Sequence, residues 1–147
     1  MNLVRLCVIG TVVFVITGVA GTISTALIPV FVVVSLVEFA LGTVAFAIAF
    51  LRAVDRSRTD AIGIGGLFFA SGSAPKPVQL RFMVCLAVQV VASIVFASVR
   101  LYTAIAFGVL APMWALGLTG MWTAAYGTFG PRTDPGPRGG RRGDAVG

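Results

Sequence analysis

Residues 30–52 read VFVVVSLVEFALGTVAFAIAFLR, and from Val30 to Leu51 only Glu38, near the middle, is foreign to hydrocarbon. A helix rises 1.5 Å per residue, so about 20 apolar residues cross the ~30 Å core of a bilayer. The run is rich in Val and Phe, which in water would suggest strand. Its length and its lack of period-two alternation decide for helix. Backbone groups in lipid also need partners within their own segment, and a single helix supplies them.

The rest of the chain repeats this pattern. Spans of about 6–25, 29–51, 82–99 and 102–126 are each long and apolar enough to cross. The sequence therefore predicts an all-α membrane protein with a four-helix transmembrane domain over 1–130. An inner loop follows at 52–81, and a basic tail at 131–147. Composition agrees: 58% of the 147 residues are hydrophobic and 11% charged, where soluble proteins carry about a quarter. A chain this short has too much surface to hide so many apolar side chains in one aqueous core.

The net charge of +6 points to topology and not to nucleic acid, because the basic residues lie between the spans and in the tail. With the N-terminus inside, Arg5, Arg52, Arg56, Arg58, Lys76, Arg81, Arg132, Arg138, Arg141 and Arg142 all fall in the cytoplasm, and only Arg100 falls outside. Both termini are expected inside, with short outer turns around 21–28 and 99–103. Tyr102 and Tyr126 mark the ends of the last span, where interfacial aromatics are favoured. The first 21 residues also fit a secretory signal, with Gly18 and Ala20 before a cleavage point. The apolar run continues past that point, which favours a retained span. Arg far outnumbers Lys and Asn2 is the only Asn, a bias expected of a GC-rich bacterial genome. The expected location is a bacterial plasma (inner) membrane.

Within the inner loop, AIGIGGLFFA is too short to span and too apolar to float. It is expected to lie in the inner interface, or to tuck against the bundle, with Leu67, Phe68 and Phe69 inserted. SGSAPKP should be an extended hinge, the next helix restarting near Val78. Gly63, Gly65 and Gly66 do not make a nucleotide fingerprint: Phe68 occupies the third glycine position and no strand precedes. The tail PRTDPGPRGGRRGDAVG is expected to be disordered. Its Arg138, Arg141 and Arg142 either anchor topology or meet anionic lipid headgroups.

Several chemistries are missing. There is no His, which removes the commonest base and most zinc, iron and haem sites. Cys7 and Cys85 form no C-x-x-C and are expected to be small buried hydrophobes in a reducing compartment. No base stands ready to activate Ser, Thr or Tyr. The expectation is a non-enzymatic protein without cofactor or metal.

Glu38 is the residue that needs an account. A charged group at the bilayer centre costs at least ~2.5 kcal/mol, so the side chain must hold a proton or face polar partners. It lies about 13 Å from Pro29 and about 20 Å from Arg52 along its helix. On the third span Ser93 sits about 18 Å in from Arg81, with Gln89 roughly 6 Å shallower on the cytoplasmic side. On the fourth, Pro112 lies about 15 Å from Tyr102. As a mid-helix proline it would leave the Gly108 carbonyl without its donor. Glu38, Gln89, Ser93 and Pro112 are thus expected to form a polar layer that fastens helices, carries a proton or cation, or binds a ligand. Ala45 and Ala49, and Gly120 and Ala124, are small-xxx-small pairs suited to close packing within the bundle, in a homo-oligomer or against a larger membrane complex.

The segments DAIGIGGLFFASGSAPKPVQLR and AVQVVASIVFASVRLYTAIAFGVLAPMWALGLTGMW resemble those of small four-span actinobacterial membrane proteins. The likeness rests on Gly65–Phe69 and Phe107–Trp122 and covers the C-terminal two-thirds of the chain. It implies architecture and no activity. Small multidrug transporters also have four helices and an intramembrane Glu, but in the first helix and without a long inner loop.

Overall fold

A computed structural model describes residues 2–131. The tail arginines Arg132, Arg138, Arg141 and Arg142 lie outside the described residues. Five α-helices carry the fold: α1 Leu3–Ile23, α2 Ile28–Arg56, α3 Ile64–Phe68, α4 Lys76–Val99 and α5 Pro112–Tyr126. Two 3-10 segments, Thr25–Leu27 and Ala104–Leu110, lead into α2 and α5. Among the described residues the one extended pairing is an isolated bridge between Asp60 and Pro131. Four segments are long and apolar enough to cross a membrane: Leu3–Ile23, Thr25–Arg56, Lys76–Val99 and Ala104–Tyr126. The protein is an all-α, multi-pass membrane protein in its architecture.

Several boundaries differ from expectation for local reasons. α4 begins at Lys76 and not near Val78, because a proline in the first helical turn gives up an N–H that would have no partner anyway. α2 runs on to Arg56, so its 29 residues extend about 43 Å and must tilt or project beyond the hydrocarbon. The fourth span is not one helix. Ala104–Leu110 winds as a 3-10 helix, and Pro112 stands in the first turn of α5. A 3-10 helix rises about 2 Å per residue, so the two pieces together still reach across.

α5 is the central helix. It packs along α2, carries α3 on its C-terminal half and touches both α1 and α4. α2 and α4 occupy opposite corners and scarcely meet. The buried face of α2 is Phe31, Ser35, Glu38, Gly42, Ala45, Ala49 and Ala53, a stripe at three- and four-residue spacing made mostly of small residues. Small side chains let backbones approach, which is how helices associate where lipid removes any hydrophobic drive. The approach is closest between Gly42 and α5: a Cβ on Gly117 would lie 2.1 Å from the Gly42 carbonyl oxygen, and one on Gly42 would lie 2.5 Å from that of Met113.

Three apolar clusters fill the interior. Phe14, Phe31, Phe96, Ile105 and Ala111 close the end nearest the α1–α2 turn. Phe14 and Phe31 have ring centroids 5.2 Å apart, and Phe31 meets Phe96 edge-on at 5.8 Å. Cys7, Phe82, Cys85, Trp114, Ala115 and Leu118 fill the space among α1, α4 and α5. Ala49, Ala53, Leu67, Phe68 and Ala124 bind α3 to α2 and α5. Of the two places left open for the inner loop, Leu67 and Phe68 take the bundle. Phe68 stacks on Phe46 at 4.1 Å, and the Thr123 hydroxyl donates to the Leu67 carbonyl. Phe69 alone points outward, 44% exposed.

Arginines tie both ends. Arg100 donates from Nε (3.2 Å) and Nη2 (2.8 Å) to the Thr22 carbonyl in the last turn of α1. Arg56, at the end of α2, donates to the Ala124 carbonyl at 3.1 Å and the Gly127 carbonyl at 3.3 Å. It also pairs with Asp60 at 2.8 Å. Terminal carbonyls of a helix have no partner of their own, and a guanidinium fork satisfies them while opposing the helix dipole.

Candidate intramembrane polar site

Glu38 reaches the interior because the small stripe of α2 turns that face inward. Phe31 seats on Gly108 and Gly42 touches Met113, so Glu38 lies level with the junction between the 3-10 segment and α5. The residue is 6% exposed. The Gln89 side chain, fully buried on α4, donates from Nε2 to Glu38 Oε2 at 3.4 Å. That is a long bond, and it spans the diagonal between the two helices that otherwise scarcely meet.

The other expected members of the layer are occupied elsewhere. Ser93 is buried, but its hydroxyl donates at 2.8 Å to the Val90 carbonyl of its own helix. Pro112 opens α5 and does not kink a continuous helix, so the predicted orphan carbonyl does not arise. The Gly108 oxygen accepts from the Ala111 N–H at 3.1 Å, the i+3 pattern of a 3-10 turn. Gln89 is thus the partner that the fold gives Glu38. Neighbouring buried hydroxyls also bond back along their helices: Thr11 to the Cys7 carbonyl at 3.0 Å, Ser35 to that of Phe31 at 2.9 Å and Thr119 to that of Ala115 at 2.7 Å. Such bonds satisfy a hydroxyl in a dry interior without linking helices.

Among the described residues, three buried polar side-chain atoms have no hydrogen-bond partner: Glu38 Oε1, Gln89 Oε1 and Trp114 Nε1. The first two belong to one pair. The third lies against α1, where a Cβ on Gly10 would stand 2.2 Å from it. Sequence reasoning missed the Trp114 position, since nothing marks one Trp of an apolar helix as inward. It also missed that Cys7 and Cys85 become neighbours across α1 and α4, both free thiols in one apolar cluster. Their similar depth was legible; that they face each other was not.

The arrangement closes Glu38 off. The Phe14–Phe31–Phe96 cluster lies toward one membrane face, and the Gly42–Gly117 backbone contact and Trp114 toward the other. Grooves on the outer surface between α1 and α4 have volumes of about 480 Å³ and are lined largely by Val8, Val12, Val15, Val84 and Val88 in one and Val19, Val91 and Val95 in the next. Glu38 lines neither. No protein-family model, curated protein or solved structure matches the chain.

Proposed function

We propose that the chain is a non-enzymatic multi-pass protein of a bacterial plasma membrane that packs with itself or with a larger membrane complex. The observation that carries this reading is the enclosure of Glu38. A carboxyl that meets Gln89 and is shut off by aromatic and backbone contacts on either side fastens helices; a carrier needs a route to water. Such bonds are modest in membranes, about 0.6 kcal/mol on average where measured, so the small-residue contacts of α2 and α5 must hold the bundle. The absence of His and the pairing of buried hydroxyls with backbone carbonyls speak against catalysis. The charge distribution supports cytoplasmic termini, and the basic tail suits anionic headgroups. Arg100, the exception on the outer side, is bound to the α1 carboxyl end.

Crosslinking in native membranes followed by mass spectrometry tests the reading. Crosslinks to a second copy or to one recurrent membrane partner are expected; a chain that crosslinks to nothing overturns it.

A small proton- or cation-coupled transporter is the second reading. It is favoured by the interruption of the fourth span beside Glu38, since transporters place ion sites at discontinuous helices near the midplane. Glu38→Gln keeps the hydrogen bonding and removes titration. Loss of proton-linked transport in vesicles, with assembly intact, would select this reading over the first.

A further inference from the structure

The two unpartnered oxygens of the polar site sit on the same pair of side chains. Gln89 Nε2 donates to Glu38 Oε2, which leaves Glu38 Oε1 and Gln89 Oε1, both buried. If the carboxyl is ionised, both are acceptors in a dry interior, each without the hydrogen bond that burial calls for. A carboxylic acid and a primary amide, however, are planar forks that each offer a donor beside an acceptor. A hydrogen on Glu38 Oε1 gives that side chain a donor beside its acceptor, the complement of the acceptor and donor that Gln89 carries.

We propose that one proton resides on Glu38 Oε1, donated to Gln89 Oε1, and that this two-bond acid–amide pair is a proton-operated latch across the diagonal of the bundle. Among the described residues nothing else nearby can neutralise a carboxylate. On α2 the next ionisable side chain is Arg52, about 21 Å along the helix. α5 carries no ionisable side chain before Tyr126. From α1 the ionisable group facing Glu38 is the Cys7 thiol, with exposed Arg5 beyond it, and α4 adds the Cys85 thiol and, about 12 Å from Gln89, exposed Arg81. Thiols supply no positive charge. A hard metal ion would want about six oxygen ligands, and the site offers two free oxygens. The proton is the cation that fits.

The latch follows from the position of the pair. α2 and α4 occupy opposite corners, and this bond joins them through the middle. Loss of the proton leaves one long bond and two buried, unpartnered acceptors on the same pair, so deprotonation and separation of α2 from α4 are linked. The proposal rests on the fastening role of Glu38 given above.

Infrared spectroscopy of the full chain in lipid bilayers tests it. A protonated-carboxyl carbonyl band is expected at neutral pH, absent in Glu38→Gln and shifted to higher frequency in Gln89→Leu, where its hydrogen bond is lost. A wild-type spectrum with only carboxylate bands assignable to Glu38, or a band indifferent to Gln89→Leu, overturns the proton. Amide hydrogen exchange, compared with Glu38→Gln at the same pH, tests the latch. That variant would form an amide–amide pair of the same shape with Gln89, one that cannot titrate. Exchange across 31–46 should rise above that of the variant only at pH values where the band is lost, and equal exchange after band loss overturns the latch. Failure of the band leaves the crosslinking result untouched, so the proposal and the assembly reading fail separately.

Discussion

Gly42 on α2 and Gly117 on α5 bring two backbones into contact: a Cβ on Gly117 would stand 2.1 Å from the Gly42 carbonyl oxygen. The atom in the way is backbone, which cannot rotate aside. Gly117→Ala should therefore push α2 from α5 and destabilise the bundle by about 1–3 kcal/mol, the usual cost of overpacking. Gly42→Ala should behave alike, against the Met113 carbonyl 2.5 Å away. Unfolding in mixed micelles would measure both, with Gly63→Ala, which meets nothing within 4 Å, as the control.

Trp114 is a case where a polar atom gains nothing. Its Nε1 hydrogen is buried without an acceptor. Trp114→Phe removes that orphan along with some apolar area, two effects of opposite sign. We expect a net change within about 1 kcal/mol. Gly10→Ala, which sets a methyl 2.2 Å from the same nitrogen, should be the costlier change. A destabilisation of several kcal/mol by Trp114→Phe would show that the N–H does have an acceptor.

Arg100 should matter through its fork more than through its charge. It places two donors on one carbonyl, Thr22, at 3.2 and 2.8 Å. Arg100→Lys keeps the charge but loses the planar geometry, and Arg100→Gln loses both charge and fork. Each should lower stability by about 1 kcal/mol, with faster hydrogen exchange at the end of α1. Equal stability of all three would mean that the cap is idle.

Arg56 gathers the end of the bundle that holds α3. It holds Asp60, the Ala124 and Gly127 carbonyls and the ring of Phe129, 5.3 Å from its guanidinium carbon. Arg56→Ala should free residues 124–131 and loosen α3 beneath them. Limited proteolysis of the inner loop should accelerate, while α1 and α4 keep their protection. Unchanged cleavage would mean that Phe68, Phe46 and Thr123 suffice to hold the loop.

Topology is checked by reporter fusions. Reporters fused after Arg58 and after Gly147 should both read cytoplasmic, and one placed at the 100–103 turn should read external. An external C-terminus would reverse the orientation proposed here.

The sequence by itself determined that four segments can cross a membrane, because run length and hydropathy are local properties. It singled out Glu38 for the same reason, and it put Ser93 near that depth with Gln89 about 6 Å nearer the cytoplasmic side, since a helix advances 1.5 Å per residue whatever surrounds it. It also supplied Ala45, Ala49, Gly120 and Ala124 as close-packing positions, and Ala49 does lie against Gly120. Which way each helix turns was not legible. Spans apolar all round carry no polar–apolar contrast that separates core from lipid, so the Gly108 carbonyl stood as the most suggestive partner for Glu38, with Gln89 and Ser93 also open. The tertiary structure chose among them. The backbone contact of Gly42 with Met113 fixed the rotation of α2, the 3-10 turn used up the Gly108 carbonyl, and Gln89 was left across the diagonal. Depth is written in the chain; azimuth is decided only when the helices meet.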